Sequence, residues 1–237
     1  MSVKELLPTP IRRLLSRLRA AVLTTRASFF RKFFRDYSQA GETLAVRRIL
    51  KDHPNKTFVE IGANDGITFS ATLGLLEDGW SGWSVEANPT TYAKLTQNLA
   101  KFPKSKQFNI AIAPEAGRVK LYLGKDDPEG LYATLSQDRD QWYEEHRSSD
   151  YVEVEGVPLS QFLDREGIPT DFGLLLVDTE GMDLEILKTL DTSRHKPRLI
   201  VTEDYQPKND EKFALLSHHG YRFLRRVGCN TFWISSP

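Results

Sequence analysis

The chain has 237 residues, 40% of them hydrophobic and 27% charged, with no net charge at pH 7, which fits one large α/β domain plus an extension. Its single cysteine, Cys229, excludes an internal disulfide and a Cys-rich metal site. No apolar run reaches the ~18 residues of a membrane span, and no uninterrupted apolar core follows the N-terminal basic residues as a signal peptide would require, so a cytoplasmic protein is expected.

The neutral total hides an asymmetry. Residues 1–40 carry nine basic side chains against Glu5 and Asp36, a net charge of +7, and the remainder carries −7. Ile11, Leu14, Leu15, Leu18 and Val22 recur at three- and four-residue spacing, which stacks them on one face of a helix with arginines on the other. Phe29, Phe30, Phe33 and Phe34 extend the stripe. Residues 10–37 therefore suit two uses: packing on the domain or on a second copy of the chain, or lying on the inner face of a membrane with arginines toward anionic lipid. The expected division is a basic helical extension over 1–40 and one domain over 41–237.

From residue 57 strands and helices alternate. Residues 57–61 read as a strand, 68–77 as a helix stopped by Gly79, 82–86 as a second strand and 90–101 as a helix ended by Pro103. A third strand is expected over 106–113 and a short one over 118–123, followed by a loop over 124–150. Residues 151–157 are β-like and 158–166 form a short helix. The run 172–178 is apolar across Leu174, Leu175, Leu176 and Val177, which places it at the sheet centre. A helix over 181–190, a strand over 198–203 and a helix over 211–219 follow. Strands over 221–226 and 231–235 close the chain as a hairpin. This order predicts a mostly parallel, doubly wound sheet ending in an antiparallel pair. Ligands of such sheets sit at the carboxyl ends of the strands, so 60–66, Glu86, 178–181 and Glu203 are expected around one crevice.

In FVEIGANDGITFS (58–70), Gly62 and Gly66 frame Ala63, Asn64 and Asp65, with Glu60 just ahead. Glycine lets a backbone approach a ligand closely and take positive φ. Twenty residues after Gly66, Glu86 ends the second strand, where an acid accepts hydrogen bonds from ribose hydroxyls. A nicotinamide enzyme shares that acid but wants a bare G-x-G-x-x-G loop under a pyrophosphate. Carboxylates repel a pyrophosphate. They suit S-adenosylmethionine, which carries a ribose, an ammonium and a sulfonium.

Further segments stand in order: SQAGETLAVRRIL (38–50), WSVEANP (83–89), IAIAPEAGRVKLYL (110–123), VEGVPLSQFLDREGIP (154–169), LLLVDTEGMDLEILKTLD (174–191) and LIVTED (199–204). With FVEIGANDG they make the chain resemble the FkbM family of S-adenosylmethionine-dependent methyltransferases, from about residue 37 to 234. The resemblance implies a Rossmann-like, seven-stranded, mostly parallel sheet and methylation of hydroxyl oxygens, often on sugars. It matches Glu60, Gly62, Ala63, Asn64, Asp65 and Gly66 to the donor loop and Glu86 to the ribose acid. Ala87 and Asn88 fall beside the adenine, Asn109 to Ala111 border it, and Asp178 falls near the methionine part. Two departures stand out: Ala133-Thr134-Leu135 where relatives have a Ser-rich stretch, which bears on the acceptor pocket, and Glu-Ala-Asn-Pro in place of Glu-Pro-Asn-Pro.

An alcohol is about as weak an acid as water (~15.7), so O-methylation needs a base or a metal. Asp178, Glu180, Asp183, Glu203 and Asp204 all lie at or just after expected strand ends. Asp178, Glu180 and Glu203 are candidate catalytic acids, one of them raised in pKa by its neighbours. Asp178, Glu203 and Asp204 are alternatively candidate ligands for Mg²⁺ or another divalent cation. Asp183 suits a helix first turn. His146 is an alternative base, in a loop whose Trp142, Tyr143 and Tyr151 suit a sugar face. The place of the Asn/Asp-Pro-Pro segment of nucleic-acid amino-methylating enzymes reads Asp178-Thr179-Glu180-Gly181, and a ring of acids repels phosphates, so no nucleic-acid partner is expected. A non-sugar small-molecule acceptor, or a non-catalytic membrane-associated protein that binds the donor, are the alternatives.

Overall fold

The computed structural model describes residues 33–125, 127, 130–136, 147–204 and 210–236. Most of the expected amphipathic segment over 10–37 falls outside them. Within them the helices are α1 (Glu42–Ile49), α2 (Leu73–Glu77), α3 (Pro89–Leu99), α4 (Leu159–Arg165), α5 (Asp183–Lys188) and α6 (Asp210–His218). The strands are β1 (Thr57–Ile61), β2 (Ser81–Val85), β3 (Ser105–Phe108), β4 (Ala111–Ile112), β5 (Gly117–Gly124), β6 (Arg147–Val157), β7 (Leu174–Val177), β8 (Leu199–Glu203), β9 (Tyr221–Val227) and β10 (Asn230–Ser235). Among the described residues no helix is long and apolar enough to cross a membrane.

Seven strands form one sheet in the order β3-β2-β1-β7-β8-β10-β9. The pairs β1–β2, β2–β3, β1–β7 and β7–β8 are parallel, and β10 is antiparallel to both β8 and β9. Every residue of β1 and β7 is buried, because both faces of a central parallel strand are covered. Alternate side chains feed two cores. Val59, Ile61, Leu175 and Val177 pack on one face with Phe162, Leu163, Ile186 and Leu216. Phe58, Leu174 and Leu176 pack on the other with Val46, Leu50, Leu75, Leu95 and Leu99. Each fully buried leucine or phenylalanine contributes ~1.5–3 kcal/mol relative to exposure.

The sheet runs outward from β1 in one direction and from β7 in the other, so their carboxyl ends border the point where strand order reverses, the place where such sheets open a crevice. Gly62 sits there at φ 84. A Cβ on it would lie 1.8 Å from the Asp178 carbonyl oxygen. Its freedom serves the approach of two protein backbones, not only the approach of a ligand.

Four expectations need correction. The helix expected over 68–77 is confined to Leu73–Glu77. Asp65 Oδ1 accepts the N–H groups of Ile67 and Thr68, and Ser70 Oγ accepts those of Thr72 and Leu73, so local side chains hold 65–72 as turns. The strand expected over 106–113 is broken at Asn109, whose Nδ2 donates to the carbonyls of Glu86 and Ala87. Beyond the break, β4 joins a separate sheet of order β4-β6-β5. That second sheet was not foreseen, and β6 begins inside the expected loop over 124–150. The helix expected over 181–190 is the shorter α5.

Gly62→Ala is expected to destabilise the fold by about 2–4 kcal/mol, from left-handed strain plus the clash with Asp178. Urea unfolding of the variant against the parent protein measures it.

Candidate active site

Beyond the carboxyl ends of β1, β7 and β8 lies a cleft of about 280 Å³, at the lower edge of the ~300–1,000 Å³ typical of small-molecule sites. Glu60, Gly62, Ala63 and Asn64 line it from β1, Glu86 and Ala87 from β2, Asp178, Thr179 and Glu180 from β7, and Glu203 from β8. The second sheet and the segment between its strands β5 and β6 cover the cleft with Ala111, Leu121 and residues 130–135. Thr134 ties this cover to the acids: its Oγ1 donates to the Glu180 carbonyl at 2.8 Å, and its backbone pairs with Tyr122.

At the β1–β2 end, Glu86 is buried. Its Oε2 accepts from Asn64 N at 2.9 Å and its Oε1 from Asn88 N at 2.7 Å. Burial pushes its carboxyl up to about 7, because the charged form loses water. Glu60, equally buried, takes the Thr72 hydroxyl at 2.7 Å and is likewise raised to about 7 by desolvation. Asn64, at φ 49, lines the cleft, yet its Oδ1 and Nδ2 are buried and find no partner among the described residues. Buried amides are almost always satisfied, so this one is poised for a polar ligand.

At the β7–β8 end, one oxygen each of Asp178, Glu180 and Glu203 lies within 4.8 Å of the others. Asp178 is raised well above the usual carboxyl range, first by burial, then by Glu203, Asp183 and Glu180, and it shares a hydrogen bond with Glu203. Glu180 reaches about 8, from burial and then from Glu203, Asp183 and Asp127. Glu180 stands at φ 51 and Gly181 at φ 98, a pair of left-handed residues that turns the chain between β7 and α5. Asp183 anchors this turn. Its Oδ1 accepts from the backbone and hydroxyl of Thr179, and its Oδ2 from Glu203 N.

Several expected site residues serve the scaffold instead of lining the cleft. Asp65 spends both oxygens on Ile67 and Thr68. Gly66 makes room for Leu95, whose Cδ1 would lie 2.8 Å from an added Cβ. Asn88 caps α3 by accepting from Thr90 N, and Asn109 braces the turn after β2. Asp204, a candidate metal ligand, is committed to Lys212 Nζ at 3.0 Å and Thr231 Oγ1 at 2.7 Å. The acids brought together are Asp178, Glu180 and Glu203. His146 lies outside the described residues.

The profile of the Methyltransferase FkbM domain matches residues 60–223, which is 164 of the 237 residues. The chain belongs to the FkbM methyltransferase family. Among solved structures it is similar to a candidate caffeoyl-CoA O-methyltransferase from Staphylococcus aureus, at 12% identity and TM-score 0.52 over 94% of this chain and 100% of that one. That likeness shows the fold. Precorrin-6y C5,15-methyltransferase from Geobacter metallireducens aligns at 14% identity, TM-score 0.45, over 82% of this chain and 87% of that one. Magnesium protoporphyrin IX methyltransferase from Synechocystis, solved with bound S-adenosylmethionine, aligns at 10% identity, TM-score 0.45, over 87% and 91%. No curated protein matches the chain.

The protein is an S-adenosylmethionine-dependent methyltransferase, and its cleft fits that donor. The unsatisfied Asn64 amide and Glu86 supply polar groups at the β1–β2 end, where a nucleoside binds in this fold. Sequence reasoning missed Gln39, Glu42, the segment 68–71, Met182 and Asn230, all on the cleft. It also missed Lys212, buried behind the acids, with Nζ on the Glu203 carbonyl and 3.9 Å from Asp183. A lysine in a helix carries no sequence mark that it will be buried.

Two outcomes follow from these environments. Asn64→Gly keeps the left-handed backbone and removes the unsatisfied amide. It should weaken S-adenosylhomocysteine binding by about tenfold in calorimetry without lowering the melting temperature of the ligand-free protein. Glu60, Glu86 and Glu180 ordinarily release their protons near 4.5 but hold them to about 7, 7 and 8 in the fold. The folded state therefore binds extra protons across that window, and stability falls as pH rises through it. Melting temperature should be higher at pH 5.5 than at pH 8.5 by roughly several degrees.

Proposed function

We propose that this methyltransferase acts on a hydroxyl oxygen of a carbohydrate acceptor, with the Asp178, Glu180 and Glu203 carboxyls receiving the hydroxyl proton. The observation that carries the reading is the convergence of these acids in the donor cleft, with the proton affinities of Asp178 and Glu180 raised. When bound, S-adenosylmethionine supplies a methyl group activated by a sulfonium. A strongly nucleophilic acceptor such as a thiolate needs no base, whereas an alcohol does. A base is most effective when its pKa lies near the working pH, and the ~4.5 of an ordinary glutamate lies too low. At about 8, Glu180 is suited to take a proton from a hydroxyl as its oxygen bonds to carbon. Asp178, which shares a hydrogen bond with Glu203, positions the pair and holds the proton within the group.

The cleft wall supports a sugar. Tyr132 and Phe69 both line it, and Phe69 is 53% exposed at φ 54. Aromatic faces cover the apolar faces of a sugar ring, while the carboxyls accept from its hydroxyls. The same acids disfavour a phosphodiester acceptor.

A second reading is favoured by one distance. Three carboxyl oxygens within 4.8 Å of one another also match what a hard divalent cation takes, and such a cation would lower the acceptor hydroxyl's pKa directly.

Glu180→Gln and Asp178→Asn should each lower turnover by about 10²–10⁴-fold, with S-adenosylmethionine affinity of Glu180→Gln within about threefold of the parent. Methyl transfer to a panel of glycans and lipid-linked sugars, followed by mass spectrometry, is the assay. The parent's rate should rise with pH up to about 8. Near-parental turnover in both variants would place the proton acceptor elsewhere, and loss of activity in EDTA, restored by Mg²⁺, would establish the cation reading.

A further inference from the structure

The family match spans residues 60–223, yet three cleft-lining residues come from outside it: Gln39, Glu42 and Asn230. They meet because the chain ahead of α1 crosses the turn between β9 and β10. Gly228 makes the crossing possible, since a Cβ there would lie 2.8 Å from Ala40 Cβ and 3.2 Å from Glu42 Oε1. The Cys229 thiol faces Gln39 Oε1 at 3.7 Å, and Asn230 Nδ2 donates to Glu42 Oε1 at 3.1 Å. Glu42 is 2% exposed and also accepts from Ala40 N at 2.8 Å.

Position along the sheet says what this edge faces. Glu86 and the Asn64 loop lie at β2 and β1, and the acids follow at β7 and β8. Asn230 begins β10 directly opposite Glu203, so the edge lies beyond the acids, at the end of the cleft away from the nucleoside. Its chemistry is matched to hydroxyls, each of which donates one hydrogen bond and accepts others. Gln39 Nε2 and Asn230 Oδ1 make no hydrogen bond among the described residues. The two Glu42 carboxyl oxygens each take one hydrogen bond, from Ala40 N and from Asn230 Nδ2, and a carboxyl oxygen can accept more than one.

We propose that Gln39, Glu42 and Asn230 form the acceptor-recognition edge of the enzyme, binding hydroxyls that neighbour the one methylated. The inference rests on the carbohydrate reading above and names the residues that select among acceptors. These residues would act on acceptor choice, while Asp178, Glu180 and Glu203 carry the proton.

The test uses the full-length protein loaded with S-adenosylhomocysteine and, as probes, the methyl glycosides of glucose, galactose and mannose. Saturation-transfer NMR reads glycoside binding, and calorimetry reads S-adenosylhomocysteine affinity. In Gln39→Ala, Glu42→Gln and Asn230→Ala, glycoside saturation should fall about three- to tenfold, with S-adenosylhomocysteine affinity within about twofold of the parent. Gln39 is exposed, so its variant remains informative even if Asn230→Ala, which strips a donor from buried Glu42, does not fold. Glycoside binding undiminished in every folded variant overturns this inference and leaves the carbohydrate reading intact. A loss of S-adenosylhomocysteine affinity in Gln39→Ala assigns the edge to the donor and overturns it as well. Absence of glycoside binding to the parent removes the carbohydrate reading and this inference together.

Discussion

The contact between Gly62 and the Asp178 carbonyl is the constraint on which the site depends. Two parallel strands, β1 and β7, leave the sheet side by side with no side chain between them. That closeness puts the 62–66 loop and the first acid of the cluster on adjacent backbones. Any larger residue at 62 would push β7 away, and with it Asp178 and the turn carrying Glu180. The loop after β1 and the acids after β7 are thus placed by the approach of two main chains at the ends of rigid strands.

The electrostatics follow from this crowding. Glu60, Glu86, Asp178, Glu180 and Asp183 all hold their protons more tightly than free carboxyls, and burial is the first cause in each. Lys212 offsets part of the repulsion from behind, through Asp183, Asp204 and the Glu203 carbonyl. Removing one member of such a buried set is costly because the partner is left unpaired. Two tiers result. Asp183, Asp204 and Lys212 brace the strands, and Asp178, Glu180 and Glu203 remain on the cleft.

Much of this was legible in the residue pattern. Buried parallel strands are continuous apolar runs, so β1, β7 and β8 could be placed to within a residue or two, and their acidic ends with them. The convergence of Glu60, Glu86, Asp178, Glu180 and Glu203 follows from strand order alone. What stayed hidden depends on hydrogen bonds that spacing does not encode. Asp65 and Gly66 sit in the same motif as Asn64, but one closes a turn and the other makes room for Leu95. The break at Asn109 needs two carbonyls more than twenty residues away. Gln39 and Asn230 approach the same cleft from opposite ends of the chain, with no shared local signal.

Glu180 adopts a left-handed backbone conformation that glycine takes freely and glutamate takes only at a cost. Left-handed non-glycine residues of this kind cost ~1–3 kcal/mol and persist where the surroundings over-determine them. A glycine at 180 would relax the turn while deleting the carboxyl. If Glu180 serves as the proposed base, thermal robustness and turnover pull this position in opposite directions. Stabilising this enzyme by consensus or strain-relief design would tend to remove the carboxyl proposed above to take the acceptor's proton, so position 180 should be held fixed in any such effort.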